Sequence, residues 1–167
     1  MFRLTKLITA ATRVTLAAAA TPADAVGPPW GPATPNFNLE VILRPIAAQP
    51  ASGFGVVRFR QPKDADQIVY LDLWVRDLAP SHSYNLQRAT DTNVNDACTG
   101  TNWLTLGQGT VPQTITTDAR GTARADLFRN LSTIPLGTEF DIHFRVIDAV
   151  TSAVVLESAC YQYTVSQ

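Results

Sequence analysis

The sequence predicts an all-β fold: a Greek-key β-sandwich, or flattened barrel, of about eight antiparallel strands. No segment after residue 26 has the length and the amphipathic period of a helix. Short runs rich in β-branched and aromatic residues recur instead, and turn residues separate them. Two of these runs alternate apolar and polar side chains, as half-buried antiparallel strands do. The 11 prolines and 9 glycines fit a chain with many turns.

The first 36 residues differ in character from the rest of the chain. Residues 1–25 resemble a secretory signal, with a basic start, an alanine-rich apolar stretch and an A-x-A cleavage pattern at 23–25. Residues 26–36 hold four prolines, which favour an extended linker or an N-terminal arm. We therefore expect a secreted or otherwise extracytoplasmic protein with one β-sandwich domain over 37–167.

Nine runs are predicted as strands within this domain. They are 37–43, 54–60, 67–76, 83–89, 102–106, 113–117, 122–128, 138–147 and 153–165. The clearest alternation predicts a core-facing set made of Val69, Leu71, Leu73, Val75, Phe140, Ile142, Phe144 and Val146. His143 lies between two members of this set, so it should project from the outer face of its strand.

Residues that favour turns occur between these runs. The stretch 117–121 predicts a tight hairpin, in which Gly121 is able to take a positive φ. The stretch 148–152 should turn the last hairpin. In the polar stretch 91–96, acidic and amide side chains alternate, but the glycine and the closing glutamate of a calcium loop are missing, so we expect an ordinary polar loop.

The two cysteines, Cys98 and Cys160, both follow the predicted signal. Two cysteines in an oxidising compartment most simply form one disulfide. A metal site would need further ligands at short spacing, such as a second cysteine two residues away, and the sequence has none.

Charge and hydropathy limit the partners. The net charge of −1 provides no basic surface for nucleic acid. After the predicted signal is removed, no stretch of 18 apolar residues remains to span a membrane. We expect an extracellular protein or a glycan as the partner, while the oligomeric state stays open.

Several short segments occur in an order that is also found in a known family. They are 78–87, 96–99, 118–123, the pair Gly137 and His143, and 158–160. Together they resemble the copper/zinc superoxide dismutases and the related chordin-type (CHRD) extracellular domains. The resemblance implies a Greek-key β-sandwich with an extracytoplasmic disulfide between Cys98 and Cys160.

The metal ligands of that family are largely missing here. The chain has two histidines, and only His143 matches a copper-ligand position. Asn85 and Gln87 stand where the family has paired histidines, and Glu157 replaces its active-site arginine. One imidazole beside two amides is a poor copper site. We therefore interpret Asn85, Gln87 and His143 as vestigial metal-site positions, and expect no catalytic residue, no metal and no cofactor.

Aromatic side chains on an outer sheet face indicate a candidate binding surface. Tyr70 and Trp74 should share that face with Arg76, where they can stack on sugar rings or anchor a protein. The competing interpretation, which we prefer, is that the proline-rich arm or a long loop covers them, because single aromatics are routinely shielded in small sandwiches. The sequence thus predicts a non-catalytic structural or binding module. The alternatives are a degenerate metalloprotein that keeps metal chemistry at His143, and a carbohydrate-binding module.

Overall fold

The computed structural model describes residues 37–46, 52–62 and 66–166, so the predicted signal (1–25) and arm (26–36) lie outside the described residues. Twelve strands follow one another in these ranges. They are β1 Phe37–Pro45, β2 Phe54–Gln61, β3 Ile68–Arg76, β4 Ser83–Asp91, β5 Leu104–Thr105, β6 Gly107–Gln108, β7 Val111–Pro112, β8 Thr114–Thr116, β9 Ala123–Asn130, β10 Glu139–Asp148, β11 Val154–Ser158 and β12 Tyr161–Thr164. No helix among the described residues is long and apolar enough to cross a membrane.

The strands form one sheet that wraps into a nearly closed barrel. Their order is β5-β4-β10-β11-β1-β2-β3-β9-β6-β7, and β8 also pairs with β4. The short strands β5 and β6 pair with β4 and with β9, respectively, and so bring the two ends of the sheet together. Strands β3 and β4 follow each other in the chain but are not neighbours, as in a Greek key. The predicted all-β Greek-key architecture is confirmed.

The core lies inside this barrel, and the predicted alternation identifies it. Seven of the eight residues expected to face inward are buried, and Phe140 is partly buried against the same cluster. Three rings meet at the centre: the centroid of Phe59 lies 4.8 Å from that of Tyr163 and 6.2 Å from that of Phe144. Because strands from both sides of the barrel supply these rings, the core holds the two sides together.

The last predicted strand, 153–165, is interrupted and forms β11 and β12. Both pieces pair with β10, where Glu157 lies opposite Arg145 and Tyr161 opposite Ile142. At the end of β11, the side-chain hydroxyl of Ser158 accepts the backbone N–H of Phe144 at 2.9 Å. A side chain therefore replaces the ladder bond that the interruption removes, which period-two patterning does not reveal.

Turns form at both predicted positions, and an aspartate organises each. The turn at 117–121 does not close the predicted hairpin, because β8 pairs with β4 while β9 pairs with β3 and β6. The Asp118 carboxylate accepts backbone N–H groups from Arg120 and Thr122 at 2.8 and 2.9 Å. Gly121 has a φ of 74°, and a Cβ there would collide with the backbone oxygen of Leu78. At the last hairpin, Asp148 accepts N–H groups of the turn in the same way. These Asx-type hydrogen bonds stabilise the backbone of each turn, which explains why turns form at the predicted residues.

The predicted disulfide is confirmed. Cys98 and Cys160 are bonded, with their Cα atoms 5.3 Å apart. The bridge joins the loop after β4 to the interruption between β11 and β12.

Phe144→Ala should lower the free energy of unfolding by about 3–5 kcal/mol, because it empties a central core position. The Phe144 side chain is completely buried, whereas Val150, 78% exposed, provides the control. Val150→Ala should change stability by less than about 0.5 kcal/mol. Urea unfolding measures both values. A loss below about 1 kcal/mol for Phe144→Ala would contradict this assignment of the core.

Acid should weaken the last hairpin through Asp148. The N–H groups of Thr151 and Val150, with His82 2.7 Å away, lower the pKa of this carboxyl to about 2. In the unfolded chain the carboxyl titrates near its ordinary value of about 3.9. The stabilisation is therefore complete above about pH 4 and is lost as the pH falls towards about 2.

Asp148→Asn should accordingly be less stable than the wild type near neutral pH, and the difference should shrink near about pH 2. Urea midpoints at the two pH values measure it. Asp126→Asn, an exposed position on β9, serves as the control. A difference that stays constant with pH would contradict the role of Asp148.

Candidate functional site

Asn85, Gln87 and His143, which we interpreted from the sequence as vestigial metal-site positions, lie on the outer face of the β4–β10 pair. In the register of these strands, Ala89 lies opposite His143, Gln87 opposite Arg145, and Asn85 opposite Ile147. Asn85, Gln87 and His143 therefore share one sheet face, with Gln87 and His143 as diagonal neighbours. The position of these three side chains on one face follows from the pairing register of β4 and β10.

Each of the three side chains bonds to a different neighbour. The Asn85 carbonyl accepts the hydroxyl of Thr114 at 3.1 Å. The Gln87 carbonyl accepts Nε of Arg145 at 2.8 Å, and its amide donates to Thr105 at 3.0 Å. His143 pairs through Nε2 with the Gly100 carbonyl at 3.1 Å. These polar atoms stabilise the local structure. Among the described residues, no group of three His, Cys, Asp or Glu side chains could hold a metal ion.

A loop over 92–103, here called the covering loop, lies on this face. The Trp103 ring packs on His143 with 4.5 Å between centroids, and Cζ of Arg145 lies 3.9 Å from the centroid of the same ring. His143 projects from the outer face of its strand, as the sequence predicts, but it is not fully exposed to solvent. His143 is half-buried, because the covering loop and its tryptophan shield it.

Two aspartates anchor the covering loop. Asp91 accepts the N–H groups of Asn93 and Thr99 at 3.0 and 3.3 Å, and also the Thr99 hydroxyl. These bonds lower the pKa of Asp91. Asp141 is completely buried, and its Oδ2 accepts the Asn95 N–H at 3.0 Å. The polar loop expected at 91–96 is thus held by its own Asp91 and by Asp141 of β10.

The candidate surface made of Tyr70, Trp74 and Arg76 lies on the outer face of β3. Tyr70 is exposed, whereas Trp74 is half-buried against the edge of Phe54. The Arg76 guanidinium carbon lies 5.9 Å from the Trp74 ring centroid. A shallow groove of about 400 Å³ runs beside Trp74, and charged side chains line it. The aromatic surface is therefore continuous with a polar groove.

A second cavity, which the sequence did not indicate, opens at one end of the barrel. It occupies about 250 Å³ where β4 and β9 end and β3 and β10 begin. Four rings contribute to its wall, those of Phe59, Phe140, Phe144 and Tyr163. The polar residues of this barrel-end cavity are Arg88, Thr90, Thr92, Arg129 and Thr138. Thr92 is exposed, so the polar side of the cavity faces solvent.

Two arginines line this cavity because they occupy inward-facing positions in the alternation of their strands. Arg88 continues the inward alternation of Tyr84 and Leu86 along β4, and Arg129 continues that of Leu127 along β9. Burial, together with the nearby charge of Arg129, lowers the pKa of Arg88. Sequence reasoning missed both residues. The signal that could have found them is an arginine at a core-facing position of an alternating strand.

A scan against protein-family models found no match, and searches of the curated proteins and of the solved structures found none either.

His143→Ala should lower the free energy of unfolding by about 1–2 kcal/mol, through the lost hydrogen bond and the lost contact with Trp103. It should also speed amide exchange in the covering loop. His143→Phe keeps a ring on Trp103 and should recover part of the loss. The control, Thr101→Ala, lies at an exposed position of the same loop. Equal stability and exchange in His143→Ala and the wild type would contradict the contact.

Proposed function

We propose that this chain is an exported, non-catalytic binding protein that takes up a small apolar molecule in the barrel-end cavity. One observation carries the proposal: a cavity of about 250 Å³ with a largely apolar wall and a polar side towards solvent. Ligand sites in proteins are commonly concave and mostly apolar, with a few polar groups that fix orientation.

Packing energetics support a role for this space. Protein interiors are normally close-packed, so the rings that line a concave apolar surface at the barrel end make fewer contacts than rings inside the core. A bound apolar molecule would restore contacts to the surrounding rings. The size suits a small ring or a short chain, since an engineered cavity of roughly 150 Å³ holds benzene.

Export is supported by the signal-like residues 1–25 and by the disulfide between Cys98 and Cys160. The resemblance to copper/zinc superoxide dismutases and CHRD domains would then concern architecture alone. The donor set supports this view, because Asn85 and Gln87 offer amides where copper favours imidazoles. A metalloprotein that uses His143 is the alternative, and stoichiometric copper in the purified protein would favour it.

Neutral 1-octanol should bind to the purified protein, and Ile134→Trp should weaken this binding at least about tenfold by filling the cavity. Ile134 lines the cavity and is partly buried, so it tolerates a larger side chain better than the central rings do. Val154→Trp, at a partly buried position on β11 away from the cavity, should leave binding unchanged. Calorimetric titration measures the affinities. A wild-type protein that binds neither 1-octanol nor octanoate would overturn the proposed function.

A carbohydrate site at Trp74 is a second candidate, and the charged groove beside that ring favours it. Arg58, Asp72 and Asp126 line this groove and offer hydrogen bonds to sugar hydroxyls. On a glycan array, Trp74→Ala should then lose any signal that the wild type gives. Tyr161→Phe is the control, since that hydroxyl bonds to the Ile42 N–H elsewhere. An array without signal for the wild type would remove this candidate.

A further inference from the structure

We infer that the ligand of the barrel-end cavity is an amphipathic organic anion, whose charged head contacts Arg88 and Arg129 while its apolar body lies among the aromatic rings. The inference rests on the proposed function and adds the chemical class of the ligand to it.

The first support is the setting of the two arginines. Both belong to the wall of a largely apolar cavity, and both are half-buried on the inner side of the barrel. Their charges repel each other across a region of low dielectric, which disfavours two cations without an anion beside them. A negative group between them would offset that repulsion.

The second support is the absence of acids from this site. Among the described residues that line the cavity there is no aspartate or glutamate. The guanidinium of Arg88 donates to the Thr90 hydroxyl at 3.0 Å, and that of Arg129 donates to the Gly109 carbonyl at 2.9 Å. Both acceptors are neutral. Donors therefore remain on each guanidinium, since this group carries five N–H bonds.

Two exposed arginines of the outer surface differ in this respect. On the outer surface, Arg60 forms an ion pair with Asp72, and Arg76 forms one with Asp77, both at 2.9 Å. Those charges are neutralised within the chain. At the barrel end, charge complementarity points to an anion from outside. Two guanidinium groups suit a carboxylate or a phosphate, which accept paired N–H donors.

The apolar part of the ligand follows from the cavity wall. Rings from β2, β10 and β12 surround the space, and Leu131 and Ile134 border it from the connection between β9 and β10. This wall favours an alkyl chain or an aromatic ring over a sugar or a peptide backbone, whose polar groups would stay unpaired there. Short alkanoic and aryl-alkanoic acids combine both features.

A series of ligands with one alkyl chain tests the inference. Octanoate, octyl phosphate, 1-octanol and octylammonium are titrated into the purified protein. Octanoate should bind about ten- to a hundredfold more tightly than 1-octanol, and added salt should reduce this advantage. Octylammonium should bind more weakly than 1-octanol. Tighter binding of octyl phosphate than of octanoate would still support an anionic head and would identify a phosphate ester as its source.

Two variants locate the head group. Arg88→Met and Arg129→Met remove the charge while keeping a long side chain, and each should reduce the advantage of octanoate about tenfold or more. Binding of 1-octanol should persist in both, which shows that the variants fold and keep the cavity. Arg124→Met is the control: Arg124 lies on β9 as Arg129 does, but it is exposed on the outer face.

Equal affinities for octanoate and 1-octanol would overturn the inference and leave the proposed function standing. Binding of neither compound would overturn the proposed function itself. Octanoate binding that is unchanged in both cavity variants would also overturn the inference, because the anion would then lie elsewhere on the protein.

Discussion

Closure of the sheet between β4 and β9 is the constraint on which the rest of the structure depends. The stretch 104–108 makes this closure, since β5 pairs with β4 and β6 pairs with β9. Between the two, Leu106 donates its N–H to the Leu86 carbonyl at 2.8 Å and places a buried side chain in the core. A Cβ at Gly107 would collide with the Val111 carbonyl, so the following hairpin packs tightly against the closure. Without it, the inner face of the barrel would be open to water.

The covering loop and the disulfide stabilise the outer face of β4, opposite the face that lines the core. The bridge ties Cys98 to Cys160, where the last strand is interrupted. Asp91 and Asp141 bind the loop backbone, and Trp103 packs over His143. Because these contacts come from distant parts of the sequence, they hold the outer face of the β4–β10 pair as a packed unit. The outer face that carries Asn85, Gln87 and His143 is therefore covered and internally bonded.

The barrel interior is not packed evenly, and this supports the proposed binding role. Through most of the barrel, apolar side chains fill the interior, as in any close-packed protein. At the end where β4 and β9 finish, the inner positions are occupied by Arg88 and Arg129, and a cavity remains beside them. Charged groups at core positions usually reflect function, because burial of an unpaired charge is costly. An anionic ligand would give both guanidinium groups a partner.

The sequence by itself determined the longer strands, the core-facing residues Val69, Leu71, Leu73 and Val75, the aspartate turns and the disulfide. These features depend on local chemistry: a period of two, short polar side chains in turns, and a single pair of cysteines. The short strands β6 and β7 fall in none of the predicted runs. Only the tertiary structure determines that the last strand is interrupted after Ser158 and that Trp103 covers His143. It also determines that Arg88 and Arg129 lie close together at one end of the barrel. Alternation assigns a residue to a face, but only strand register and barrel closure determine which distant residues share that face. The cavity therefore could not be predicted from the chain, although its two arginines were already in phase with the core.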